Sequence, residues 1–108
     1  MKIILGKKRI EIPTRKVGFF GKIRGLMFRS VNCDNLLFNF SSSEKFGIHS
    51  FFVFFDFLAV WLDEGNRVLE WEVVKPWRFS ARPKTGAVKL LEVPLNDKNM
   101  RILDLFRR

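Results

Sequence analysis

Glutamine and tyrosine are absent from this chain of 108 residues, and cysteine and histidine occur once each. The one cysteine, Cys33, cannot form a disulfide within the chain, and a single cysteine and a single histidine are too few for a zinc site. We therefore predict no metal site and no cofactor. Cysteine used so sparingly is typical of a reducing compartment, so we predict a cytoplasmic location.

Long hydrophobic runs are missing as well. The longest apolar stretch spans residues 51–62, where Asp56 is the only polar side chain, whereas a membrane-spanning helix needs about 20 residues. We expect no membrane span, and no signal peptide either, because the short apolar segment at residues 1–5 leads directly into charges. The aromatic and β-branched residues of 51–62 favour one long central strand covered on both faces, or two strands bent near Asp56.

Alternating apolar side chains between turn residues indicate about seven strands. Residues 2–12 are predicted to form a hairpin, with the reversal supplied by a loop that contains Gly6. Residues 63–66 are predicted to form a second hairpin turn, because Gly65 and Asn66 tolerate a positive φ. Residues 102–106 fit either a strand or a short helix, and the strand is preferred. The strands are predicted at residues 2–5, 9–12, 36–40, 51–62, 67–74, 87–93 and 102–106.

One helix is predicted, at residues 14–25, with Thr14 as its N-cap. The chain shows no repeated alternation of strand and helix, which argues against a parallel sheet. We therefore predict a mostly β (α+β) fold. It would be a small antiparallel barrel-like or sandwich sheet with one covering helix, and residues 1–108 would form a single globular domain.

The net charge of +9 is distributed unevenly. Residues 1–30 carry nine Lys or Arg against one Glu, and residues 71–108 carry nine against four acidic residues, whereas residues 31–70 carry two against six. If the two basic flanks meet in space, they form a positive face that could bind nucleic acid or another polyanion. Scattered charges also simply keep a protein soluble, and their spacing favours that interpretation.

Four segments occur together in a recognisable order: Arg-Gly-Leu-Met-Phe-Arg at residues 24–29, Leu-Leu-Phe-Asn-Phe at 36–40, Ile-His-Ser-Phe-Phe at 48–52 and Leu-Leu-Glu-Val-Pro at 90–94. In this order and spacing they resemble the domain of unknown function family 192 (DUF 192), small prokaryotic proteins without an assigned role. The resemblance covers about residues 14–106. It implies a compact, mostly β single domain with a helix before the first segment, and it implies no activity.

The chain departs from that family pattern at one place. Where members usually read Pro-Ile-Asp, this chain has Asp56, Phe57 and Leu58. If the family's Asp carried chemistry, this chain has lost it or moved it to Asp56. The absence of glutamine, with 29% charged residues, is separately reminiscent of archaeal or thermophilic proteins.

Six residues are candidates for binding. His49 and Ser50 could act as base and nucleophile, although a lone histidine at the start of a core strand more often binds a backbone group. Arg24 and Arg29 could hold an anion bidentately or pair with acidic residues of the middle segment. Trp77 and Arg78, which are predicted to share one loop, could stack on a base and hold a phosphate.

Three functions are compatible with these residues. The preferred one is a non-enzymatic binding module for an anionic ligand or partner, such as a polyanion or nucleic acid. The alternatives are a small hydrolase-like enzyme that uses His49 with Ser50 or an Asp, and a homodimeric structural or interaction protein that pairs through its Phe-rich surface. The residues alone do not decide whether the protein is an enzyme.

Overall fold

A computed structural model describes residues 1–16, 30–39, 53–76 and 87–108. These ranges contain seven strands and one helix, which confirms the predicted mostly β fold class. Within these ranges, no helix is long and apolar enough to cross a membrane. The elements are β1 (Lys2–Leu5), β2 (Lys8–Glu11), β3 (Arg15–Lys16), β4 (Leu36–Asn39), β5 (Phe57–Leu62), β6 (Val68–Val74), β7 (Lys89–Pro94) and α1 (Met100–Arg107).

The first two strands form the predicted hairpin. β1 and β2 pair antiparallel from Lys2↔Glu11 to Leu5↔Lys8. Gly6 lies in the connecting turn with a φ of 61°, a left-handed conformation that glycine adopts without steric cost. The hairpin joins the rest of the fold through a parallel bridge between Ile4 and Arg67.

The other five strands form one sheet in the order β3-β4-β7-β5-β6. Three of its four pairings are antiparallel, as predicted, and the β3–β4 pair is parallel. β5 and β6 are joined by the predicted turn, in which Asn66 has a φ of 63°. A register shift between Trp61 and Leu62 places a β-bulge on β6, and such bulges increase the local twist of a strand.

β5 is the centre of the core, because all six of its side chains are buried. Phe57, Ala59 and Trp61 belong to a hydrophobic cluster on one face of the sheet. Leu58 and Val60, with Leu62, belong to a second cluster on the other face. The prediction of a strand covered on both faces is therefore confirmed, whereas the middle strand of the sheet is β7, and β5 lies between β7 and β6. The strand is shorter than predicted, because residues 53–56 are not in strand conformation; residues 51 and 52 lie outside the described ranges.

The second cluster is closed by the C-terminal helix. α1 buries Ile102, Leu103 and Phe106, and the Phe106 ring contacts Trp71 of β6 edge-on at a centroid distance of 5.6 Å. The preferred strand at residues 102–106 is thus wrong. Three apolar side chains at these spacings share one face of a helix, and that face covers the apolar cluster on the sheet.

The predicted helix at residues 14–25 is also wrong at its start. Arg15 and Lys16 form β3, which pairs with Leu36 and Leu37 of β4. Thr14 is therefore not a helix N-cap. Residues 17–25, where the rest of this helix was predicted, lie outside the described ranges.

Candidate functional site

The six binding residues proposed from the sequence are His49, Ser50, Arg24, Arg29, Trp77 and Arg78. All six lie outside the described ranges, so their convergence on one site stays a prediction. The hydrolase alternative needs an Asp beside His49, and the two candidates for it, Asp56 and Asp63, do lie within the described ranges. Asp56 is ion-paired with Lys75 at 2.6 Å, and Asp63 Oδ1 accepts hydrogen bonds from two backbone N–H groups of its own turn, both at 2.9 Å. Both carboxylates therefore have structural partners.

In the pattern of the family that the sequence resembles, an Asp stands at the position of Leu58. Here Leu58 is fully buried in the second hydrophobic cluster. A carboxylate there would be surrounded by apolar side chains, so this position does no polar chemistry in this chain.

A different site appears where the two basic flanks of the chain meet. A cleft of about 950 Å³ has three borders. They are β2 together with the segment that follows it, the loop at residues 30–35, and the start of α1. Residues from both ends of the chain line it, including Arg9, Arg15, Lys98 and Arg101. The condition set by the sequence, that the basic flanks must meet in space, is fulfilled here.

The floor of the cleft is built from three buried asparagines, Asn35, Asn96 and Asn99. The Nδ2 atom of Asn99 donates to Asn35 Oδ1 at 3.0 Å and to the Pro94 carbonyl at 2.7 Å. Asn96 Oδ1 accepts the backbone N–H of Asn99 at 3.0 Å. These bonds hold the start of α1 against the loop at residues 30–35.

The same asparagines reach the other borders of the cleft. Asn35 Nδ2 donates to the Pro13 carbonyl at 2.8 Å. The backbone carbonyl of Asn35 accepts a hydrogen bond from the backbone N–H of Arg15 at 2.8 Å. Asn96 Nδ2 donates to the Val31 carbonyl at 2.7 Å. Because buried amides with satisfied hydrogen bonds make rigid junctions, the cleft is a preformed feature of the fold.

Positive charge dominates the rim. Four cationic side chains line the cleft (Arg9, Arg15, Lys98 and Arg101), against two carboxylates (Glu11 and Asp34). Glu11 is paired with the N-terminal amine at 3.0 Å, and Asp34 lies 3.8 Å from Arg15 with both side chains exposed. Among the residues that the structure describes, the other three cations have no carboxylate within ion-pair distance.

This arrangement suits anion binding. Exposed guanidinium and ammonium groups around a concave surface raise the local concentration of anions and donate charge-assisted hydrogen bonds to them. Cys33 also lines the cleft, but the described residues contain no group of three or more side chains able to hold a metal ion.

Comparison with known proteins finds relatives that are similar to this chain in sequence. Two curated relatives are UPF0127 proteins. One, from Thermococcus sibiricus, is 33% identical over 99 aligned positions, and the match covers 86% of this chain and 64% of the relative. The other, from Thermococcus kodakarensis, is 34% identical over 80 aligned positions, and the match covers 71% of this chain and 50% of the relative. The chain thus spans between half and two thirds of the length of these relatives, and their names state no activity.

A solved structure shares the fold. A protein of unknown function from Novosphingobium aromaticivorans matches with a TM-score of 0.75 and 12% identity, over 94% of this chain and 75% of that chain. At this identity the match concerns the fold alone, and one fold serves many functions. No family model matches the chain.

Sequence reasoning missed the residues of the cleft. The uneven charge of the flanks was the available signal, but it did not single out Arg9, Lys98 or Arg101 among the other basic residues. Asn96 and Asn99 stand in a short polar segment that is typical of a turn. Their side chains act through partners 64 and 65 residues away in sequence, which no local pattern reveals.

Proposed function

We propose that this chain is a non-enzymatic binding module that takes an anionic ligand in the cleft between the N-terminal hairpin and α1. The observation that carries the proposal is the cationic excess at the rim. Arg9, Lys98 and Arg101 are exposed and have no described carboxylate partner, and both rim carboxylates are already engaged.

The physical basis is the difference between a concave and a flat surface. An isolated cation on an open surface is screened by water and salt and binds anions weakly. Several cations around one cleft act on the same ligand, and each guanidinium offers a rigid fork of donors to a phosphate or carboxylate. The asparagine-bonded floor keeps the walls in place, so little ordering is required on binding.

A double substitution tests this proposal. Lys98→Ala with Arg101→Ala should weaken the binding of inorganic tripolyphosphate about tenfold or more, because two charge-assisted contacts are lost. Isothermal titration calorimetry at low salt measures the dissociation constant. The matched control is Lys2→Ala with Lys7→Ala, which removes the same charge from two exposed residues that do not line the cleft.

Comparison of the two variants distinguishes binding at the cleft from a general effect of the protein's net charge. Equal weakening in both would mean that net charge alone attracts the anion, and the cleft would then have no special role. Absence of binding in the unmodified protein would remove the proposal altogether.

We also infer that the DUF 192 resemblance and the UPF0127 relatives describe one family. The four segments at residues 24–29, 36–40, 48–52 and 90–94 span most of the chain, and the match to the Thermococcus sibiricus protein covers 86% of it. An alignment that includes members of both groups should place these four segments in the same columns. Segments that fail to align would show that the groups are distinct.

The other functions predicted from the sequence depend on residues other than those described in the cleft. The hydrolase alternative depends on His49 and Ser50, and the stacking and anion contacts depend on Trp77, Arg78, Arg24 and Arg29, all outside the described ranges. Cytoplasmic location and homodimer formation likewise stay predictions, and light scattering measures the second.

A further inference from the structure

We propose that the ligand of this cleft is the phosphodiester backbone of a nucleic acid strand, held without contacts to its bases. This inference rests on the proposed anion-binding function and names the class of ligand. Three observations on the cleft carry it.

The first observation is the spread of the cations. Arg9 and Arg15 belong to β2 and β3, Lys98 belongs to the turn before α1 and Arg101 to the first turn of α1, and all four line the cleft. Charges contributed by separate elements around an open cleft match a row of single negative charges better than one compact anion. A nucleic acid backbone presents such a row.

The second observation is that the polar groups of the floor are committed. The Nδ2 atoms of Asn35, Asn96 and Asn99 all donate to protein oxygens, at 2.7 to 3.0 Å. A pocket for a single enclosed phosphate usually turns converging backbone or side-chain donors toward the anion. Here the charged donors among the described lining residues are the exposed cations of the rim, which suits a strand that crosses the cleft.

The third observation concerns aromatic side chains. Among the described residues that line the cleft, none is aromatic. Proteins that bind single strands usually gain about 1–3 kcal/mol per base by stacking it on an aromatic ring. The described part of the lining therefore offers its cations to the phosphates of a strand, and this contact is independent of base identity.

A comparison of two oligomers tests the inference. Fluorescence anisotropy would measure binding of labelled oligodeoxythymidine of about 12 nucleotides, a length within the range of known single-strand sites. The second probe is an abasic oligomer with the same backbone and length. We expect the two dissociation constants to agree within about threefold, because both carry the same phosphates.

The salt dependence provides a second readout. Neutralising four phosphates on a single strand predicts a slope of about 3 for the logarithm of Kd against the logarithm of salt concentration. Arg101→Ala should reduce this slope by about 0.7, because one contact is lost. Lys2→Ala with Lys7→Ala should leave the slope unchanged.

The possible failures point to different conclusions. An abasic oligomer that binds more than about tenfold weaker would show that bases are contacted and would overturn the inference, while anion binding would stand. Tripolyphosphate binding with no binding of either oligomer would also overturn it and leave the proposed function intact. If tripolyphosphate fails to bind as well, the proposed function itself fails.

Discussion

Two residues of the described chain adopt left-handed backbone conformations, and both lie in hairpin turns. Gly6 has a φ of 61° and Asn66 a φ of 63°. Asn66 also accepts a hydrogen bond from Lys89 Nζ at 2.6 Å through its side chain. Gly65, directly before it, does not have a positive φ. The glycine of the second turn is thus dispensable for the backbone path, whereas the glycine of the first is required.

This difference predicts that the same substitution destabilises the protein at one glycine and has little effect at the other. Gly6→Ala should lower the free energy of unfolding by about 1 kcal/mol, because an L-residue is strained at a positive φ. No atom lies within 4 Å of the added Cβ, so this cost comes from the backbone alone. Gly65→Ala should change the stability by less than about 0.5 kcal/mol, since its Cβ would make only an ordinary 3.5 Å contact with Asp63 Oδ1.

Urea unfolding of the two variants measures both values. A larger loss of unfolding free energy in Gly65→Ala than in Gly6→Ala would show that the second turn, and not the first, requires its glycine. Equal losses would contradict the assignment of the left-handed position to Asn66.

At the scale of elements, α1 is held by an apolar side and a polar end. Its apolar side covers the second hydrophobic cluster through Ile102, Leu103 and Phe106. Its polar end is tied by Asn99, which precedes the first residue of the helix and contacts both Asn35 and the Pro94 carbonyl. The helix therefore closes the core and forms one wall of the cleft at the same time.

Removal of the Asn99 side chain should affect both roles. Asn99→Ala leaves Asn35 Oδ1 without this donor in a buried environment, and we expect a loss of about 2–3 kcal/mol in the free energy of unfolding. Tripolyphosphate binding should weaken as well, because the wall that carries Lys98 and Arg101 loses its anchor. Thermal unfolding and calorimetry measure the two effects.

Asn32→Ala is the matched control, since Asn32 is exposed and lines the same cleft. Its stability should change by less than about 0.5 kcal/mol. If Asn99→Ala were equally mild, the buried asparagines would not be the junction that fixes the cleft.

For the whole molecule, the dominant electrostatic feature is uncompensated positive charge. The chain carries a net charge of +9, and the ion pairs among the described residues each include a side chain that is more than a third exposed. Exposed ion pairs stabilise proteins weakly. Repulsion between neighbouring cations, particularly around the cleft, therefore outweighs them at low salt.

The melting temperature should accordingly rise with salt. Between about 20 mM and 200 mM NaCl we expect an increase of a few degrees, because screening reduces repulsion more than it weakens the exposed pairs. Circular dichroism at several salt concentrations measures this. The variant with Lys98→Ala and Arg101→Ala should show a smaller increase. A melting temperature that falls with salt would mean that ion pairs dominate.

The strand buried on both faces, both hairpin turns and the mostly β class could be predicted from residue patterns alone. Burial of β5 on two faces follows from a run of apolar side chains, and the turn at residues 63–66 follows from the conformational freedom of Asn66, whereas Gly65 does not adopt a positive φ there. These properties depend on side chains close together in sequence, so a local pattern contains them.

Only the tertiary structure decided which of the ambiguous segments are helix and which are strand, and where the cleft lies. Residues 102–106 fit two periodicities, and packing on the second cluster selected the helix. Arg15 and Lys16 are a strand because β4 supplies their hydrogen-bond partners. The cleft depends on contacts between residues more than 60 positions apart. The physical reason is that a short segment is compatible with several conformations, and the neighbours that select one are brought to it by the rest of the chain.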